Sequence, residues 1–227
     1  MTAWTALREG FDAFIRRFPL LMGAGLVILA CQQAIYLLIP ETLWWVQLLL
    51  ILALLAPLHA GQYLLAVKVV RHEPAAFRDL FAGTSKWGPI SLAYLLVSLL
   101  TALGFVALIV PGIIVSLMYS FVLIRFLDPK AGERKGSVLE LMSESARITK
   151  GYRGVLFGIG LLLSVPTLVW TVITLLVEQP ISPWIIQLIG IFSGLLFLGP
   201  VSAASFMVVY DHALEHPRNR ASTQPLD

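Results

Sequence analysis

All sixteen Lys and Arg residues fall on one side of the membrane topology that hydropathy lays out along this chain. Arg8, Arg16 and Arg17 precede the first apolar run, and Lys68, Arg71, Arg78 and Lys86 follow the second. Arg125, Lys130, Arg134, Lys135, Arg147, Lys150 and Arg153 lie between the fourth and fifth, and Arg218 and Arg220 follow the sixth. The opposite connections, around Glu41 and from Glu178 to Pro183, carry no basic residue. Translocating Lys and Arg is unfavourable, so this bias predicts that both termini lie in the cytoplasm of a bacterial-type inner (plasma) membrane.

A helix needs about twenty apolar residues to cross the hydrocarbon core. Six such stretches are expected, at about 19–39, 43–67, 88–110, 111–127, 154–177 and 184–210. The fold class is therefore all-α, a polytopic helical bundle forming one membrane domain (1–214) with a polar, disordered tail (215–227). The fourth stretch is short, so Arg125 is expected to snorkel to the inner interface. Trp44, Trp45 and Trp184 fall at the outer boundary and Trp87 at the inner one, where an amphipathic ring is at home. At 58% hydrophobic and 13% charged, the chain cannot cover a soluble surface. Its basic residues sit in short loops between apolar runs, which points to anionic lipid rather than nucleic acid as the partner. A homo-oligomer or a membrane-protein partner is left open.

Cys31 is alone. Arg16-Arg17, an apolar stretch and Ile28-Leu29-Ala30-Cys31 loosely resemble a lipoprotein signal, but Leu29 is poor at its position, so a retained helix is expected with lipidation of Cys31 as the alternative. An amphipathic helix ahead of Pro19 fits retention: Trp4, Leu7, Phe11, Phe14, Ile15 and Phe18 share one face, opposite Arg8, Glu9, Asp12 and Arg16. Phe77, Leu80 and Phe81 repeat the pattern, and so do Val138, Leu141 and Met142. Such helices lie in the interface on the cytoplasmic side, with the apolar face at the acyl boundary.

Each of these helices precedes a pair of spans, which suggests a threefold repeat of one interfacial helix and two membrane helices. The entries Arg17-Phe18-Pro19, Lys86-Trp87-Gly88-Pro89 and Tyr152-Arg153-Gly154 all pair basic and aromatic residues. Each second helix holds a proline (Pro57, Pro111, Pro200) with a polar residue five positions on (Gln62, Ser116, Ser205). Parallel repeats about an axis along the membrane normal occur in some transporters.

The run Leu108-Ile109-Val110-Pro111-Gly112-Ile113-Ile114, with Tyr119-Ser120-Phe121, Asp128, Ser145 and Lys150-Gly151, resembles the glycerophosphoryl diester phosphodiesterase membrane-region family and its YciC-like bacterial inner-membrane relatives. Pro57-Leu58, Ala60-Gly61 and Asp79-Leu80-Phe81 also fit, whereas Ala146 stands where those proteins carry a large residue. The resemblance implies Pro111, Gly112, Asp128, Ser145 and Gly151 as signature residues and a membrane domain of uncertain role. In that family the phosphodiesterase chemistry belongs to a separate soluble barrel, which the resemblance does not extend to here.

Intramembrane polar residues are the default candidates for function, because lipid makes them costly. His59 stands out, with Gln62 and Tyr63 on its face and Ser116 and Tyr119 on the central hairpin; the alternative is an ordinary hydrogen bond between helices. No HExxH, metal-spaced His pair or phosphate-binding glycine loop is present, so no cofactor or metal is expected and enzymatic activity is not. Asp211-His212 is a candidate polar pair, and Gly154-x-x-x-Gly158 and Gly190-x-x-x-Gly194 permit close helix approach. Arg147, Lys150 and Arg153 are the expected contacts to anionic headgroups. The expected function is a non-catalytic, lipid-associated or accessory membrane component. The alternatives are a small transporter or channel with a polar site near His59, and an intramembrane lipid-active enzyme.

Overall fold

Apolar runs with a proline or glycine at their ends become helices throughout the described chain. The structure is a computed structural model that describes residues 1–131, 137–176 and 198–216. Its helices are α1 (Ala3–Arg16), α2 (Phe18–Leu38), α3 (Trp44–Leu50), α4 (Ala56–Val70), α5 (Trp87–Ala107), α6 (Ile109–Met118), α7 (Val122–Arg125), α8 (Val138–Thr149), α9 (Arg153–Leu176) and α10 (Gly199–Glu215). A 3₁₀ segment, Phe77–Lys86, leads into α5, and a π-helical turn, Ile51–Leu55, joins α3 to α4. No strand occurs among the described residues.

Three stretches are long and apolar enough to cross a membrane: Phe18–Leu38, Glu41–Val70 and Phe77–Ala107. A fourth candidate, Val138–Thr149 with Arg153–Val169, is bent by 84°. Ile109–Arg125 is shorter, about 25 Å at 1.5 Å per residue. Of the expected sixth span, residues 184–197 lie outside the described residues, as do Trp184, Gly190, Gly194 and the tail beyond His216. The chain is thus an all-helical protein with several helices fit for a membrane.

Local chemistry accounts for the irregularities. Pro57 has no N–H to bond the carbonyl of Ala53 one turn back, and the π turn lies directly before it. The Trp87 indole N–H donates to that Ala53 carbonyl at 2.6 Å. Trp87 therefore has a hydrogen-bonding task as well as its expected interfacial one. Between α6 and α7 the helix breaks at Tyr119–Phe121. Ser145 of α8 splints the break, its Oγ donating to Met118 O (2.8 Å) and accepting from Phe121 N (3.3 Å).

The three amphipathic segments pack in cyclic order. α1 lies on α10, the Phe77–Lys86 segment on α4, and α8 on α6 and α7. Each segment thus rests on the helix that ends the preceding stretch of chain, with the first closing on α10. Two of these contacts need glycine. A Cβ at Gly10 of α1 would lie 2.6 Å from Ser205 Cα, and one at Gly61 of α4 would overlap the Leu80 carbonyl. α1 therefore has a third face beyond the two expected: Ala6, Gly10 and Ala13, with Phe14, are buried. Trp4, Phe11, Ile15 and Phe18 of the expected apolar face stay exposed.

Candidate functional site

The C-terminal parts of α4, α7 and α10 meet where α4 stops. Arg71, the residue that caps α4, is held there between two carboxylates from distant parts of the chain. Its Nη1 and Nη2 donate to Asp128 Oδ1 and Oδ2 at 2.7 and 3.0 Å, the fork geometry that makes arginine–carboxylate pairs strong. Its Nε donates to Asp211 Oδ1 at 2.5 Å. Asp128 Oδ2 also accepts from the Tyr210 hydroxyl at 2.9 Å, and Oδ1 from Lys130 N at 3.1 Å. The Arg71 and Asp128 side chains are 3% and 0% exposed. The end of α4 supplies the cation, the residue after the α7 turn one carboxylate, and α10 the other carboxylate with the tyrosine.

Burial alone pushes the Asp128 carboxyl up, but the bonds and charge of Arg71, with help from Tyr210 and Lys130, hold it below the usual carboxylate range. Burial opposes the Arg71 charge too, and the two aspartates more than offset it, so the guanidinium stays charged. A second ion pair flanks the knot. Arg125 of α7 bonds Glu144 of α8, and it also interacts with Tyr210. Arg125 is expected from the sequence to snorkel to the inner interface; its guanidinium is buried at the helix end, where Glu144 meets it. Further out, Lys68 Nζ bonds Asp79 Oδ2 at 2.9 Å, and Asp79 is held low despite partial burial by the Ala76 N–H and Lys68.

The residues singled out in the sequence fall into several places. Asp128 is the centre of the knot, and Ser145 is the splint beside it. Gly112 packs in the α5–α6 hairpin: a Cβ added at Gly104 would lie 2.9 Å from Gly112 Cα, and one added at Gly112 would overlap the Phe105 ring. Pro111 sits in the first turn of α6, and Gly151 in the exposed bend between α8 and α9. His59 stacks on Tyr94 of α5, ring centres 6.3 Å apart and planes within 6°. Gln62 is buried and Tyr63 half-buried on the same helix. Ser116 donates to its own helix at Ile113 O (2.8 Å), and Tyr119 marks the α6 end. The structure does not bring Asp128 or Asp211 to His59, since both are engaged by Arg71. Arg147 and Lys150 are exposed, whereas Arg153 turns back to donate to Ala146 O at 3.3 Å. His212 lies edge-on to Tyr152 and stacks on His216. Gly158 approaches Ala3 of α1 (2.7 Å for an added Cβ), so that half of the glycine motif serves packing within the chain. Among the described residues no three His, Cys, Asp or Glu side chains are grouped to hold a metal ion.

Comparison with protein-family models, with curated proteins and with solved structures gave no match. The functional reading therefore rests on the residues themselves. Sequence reasoning missed the partners of Asp128. Arg71 counted only as one loop cation among several, and nothing local marks a partner 57 or 140 residues away.

Proposed function

We propose that the chain is a non-catalytic component of the bacterial inner membrane, with six spans and both ends in the cytoplasm, whose basic face associates with anionic lipid. One observation carries this reading. α1 packs its small-residue face into the bundle while Trp4, Phe11, Ile15 and Phe18 stay exposed beside Arg8 and Arg16. Large apolar residues next to cations belong at a headgroup boundary. The packing of α1 on α10 also supports retention of the N-terminal helices, with Cys31 inside an unbroken α2. Reporter fusions after Glu41 and Glu178 are expected to read periplasmic, and fusions after Glu73, Glu133 and Asp227 cytoplasmic. Reversing Arg147, Lys150 and Arg153 to Glu is expected to lower the anionic lipid that co-purifies. Unchanged lipid retention would remove the lipid half of the reading.

A second reading, a small transporter, is favoured by the cyclic packing of three units around second helices whose inner ends are locked together by Arg71. In that reading the knot is an inner gate. Arg71→Ala would then raise solute flux in liposomes, whereas a purely structural knot gives loss of folded protein and no flux.

A further inference from the structure

The corner between α1, α2 and the end of α4 holds an open cavity of about 380 Å³, lined by Arg16, Arg17, Val69, His72 and Glu73. Neither arginine meets a carboxylate among the described residues. Arg16 Nη1 has His72 Nε2 as its neighbour at 3.3 Å, and Arg17 heads α2, whose positive dipole end adds to the local field. Glu73 faces Lys130 Nζ at 3.4 Å, which offsets its charge and leaves the cavity net positive. Lys86, which heads α5, is by contrast engaged by the backbone, donating to Phe126 O at 2.7 Å.

His72 is the telling residue. It is the described non-glycine residue with positive φ, at 58°. Glu73 N bonds Lys68 O (2.8 Å) and His72 N bonds Val69 O (3.2 Å), the paired bonds of a Schellman cap, with His72 at the position where glycine is normally found. A side chain held there against backbone preference points to a use for that side chain. The exposed rings of Phe18, Phe77 and Phe81 lie on the elements around this corner, with Phe77 beside Gly23 of α2, a setting suited to acyl chains.

We propose that the Arg16–Arg17–His72 cavity binds a phosphate ester, supplied by the headgroup of an anionic phospholipid. Two guanidinium groups supply forked donors to phosphate oxygens, and His72 shapes the wall and adds a third polar contact. The inference deepens the lipid-association reading and rests on it for the source of the phosphate.

The test uses the full chain in nanodiscs of phosphatidylcholine with phosphatidylglycerol, and native mass spectrometry to count tightly retained phosphatidylglycerol. Arg16→Gln with Arg17→Gln is expected to cut retention roughly tenfold, and Arg16→Lys with Arg17→Lys to restore part of it. His72→Gly removes the side chain where glycine is the preferred residue, so it is expected to keep the fold and still weaken retention. Arg78→Gln removes a positive charge outside the cavity and is expected to leave retention unchanged. Glycerol 1-phosphate added as a soluble probe separates the sources. Failure to displace the lipid supports the headgroup; binding to the wild type alone, with lipid retention unaltered in every variant, assigns the cavity to a soluble phosphate ester. Unaltered retention without binding of the soluble probe, or equal loss in the Arg78 control, overturns the proposal. Loss in the cavity variants with no effect of the Arg147, Lys150 and Arg153 reversal separates this site from the wider basic face.

Discussion

Arg71 and Asp128 meet through two parallel hydrogen bonds of 2.7 and 3.0 Å although they lie 57 residues apart, at the ends of α4 and of the α6–α7 stretch. Both side chains are almost fully excluded from solvent. Removing one charge from such a pair leaves the other buried without compensation, at a cost of about 3–5 kcal/mol. Asp128→Asn is therefore expected to lower resistance to unfolding in mixed SDS micelles by that order. Asp211→Asn is expected to cost less, because Asp211 is 19% exposed and Arg71 keeps its forked partner. Equal losses for the two variants would show that the fork carries no special weight.

The depressed Asp128 carboxyl sets a direction for pH. A carboxylate whose folded value lies below its unfolded value of about 3.9 contributes stability that is fully present above that pH. The contribution falls away as pH drops through the folded value. The wild-type melting temperature is expected to hold steady from neutrality down to about pH 4 and to fall below it. In Asp128→Asn the baseline starts lower and the acid-side slope is shallower, since the group that takes up the proton is gone.

Ser145 gives a smaller effect with a clear geometric cause. Its hydroxyl serves both sides of the α6–α7 break, donating to Met118 O and accepting from Phe121 N. Ser145→Ala leaves a buried donor without its partner, at about 1–3 kcal/mol. Thr149 also reaches Met118 O at 3.3 Å, so the carbonyl side is partly covered and the loss is expected at the low end. Amide exchange measured at Phe121 is expected to quicken while α8 itself stays protected.

How much of this was legible follows from the range of each signal. Apolar runs, Pro57 and the amphipathic order of α1 are local, so helix positions were readable to within a few residues. The short fourth stretch was readable too, but the partner of its end residue Arg125 was not. Glu144 lies nineteen residues away on another helix, and no spacing rule links them. Asp128 and Ser145 were singled out only through a family resemblance, which names positions without giving their partners. The face Ala6–Gly10–Ala13 was legible in principle as small residues at helical spacing. It was passed over because the larger aromatic stripe on the same helix is the stronger signal. His72 carried no signal at all, since a histidine in a left-handed cap looks like any loop histidine.

The cyclic packing of the amphipathic segments rests on backbone approach, and two glycines test it against each other. At Gly61 an added Cβ points into the Leu80 carbonyl, part of the backbone of the 3₁₀ segment that packs on α4. Backbone cannot swing aside as a flexible side chain would, so Gly61→Ala must push the segment off the helix. A loss of at least about 1–3 kcal/mol is expected, and with it looser contact at Gly83, whose own Cβ would overlap the Pro57 carbonyl. Gly88 lies one residue into α5 with no atom within 4 Å of an added Cβ. There alanine only gains helix propensity, up to about 1 kcal/mol, so Gly88→Ala is expected to be neutral or stabilising. Measured side by side in the same micelles, the two variants should move unfolding in opposite directions. A Gly61→Ala protein as stable as the wild type would mean that the segment does not sit on α4 at this distance, and the closed threefold order would lose one of its contacts.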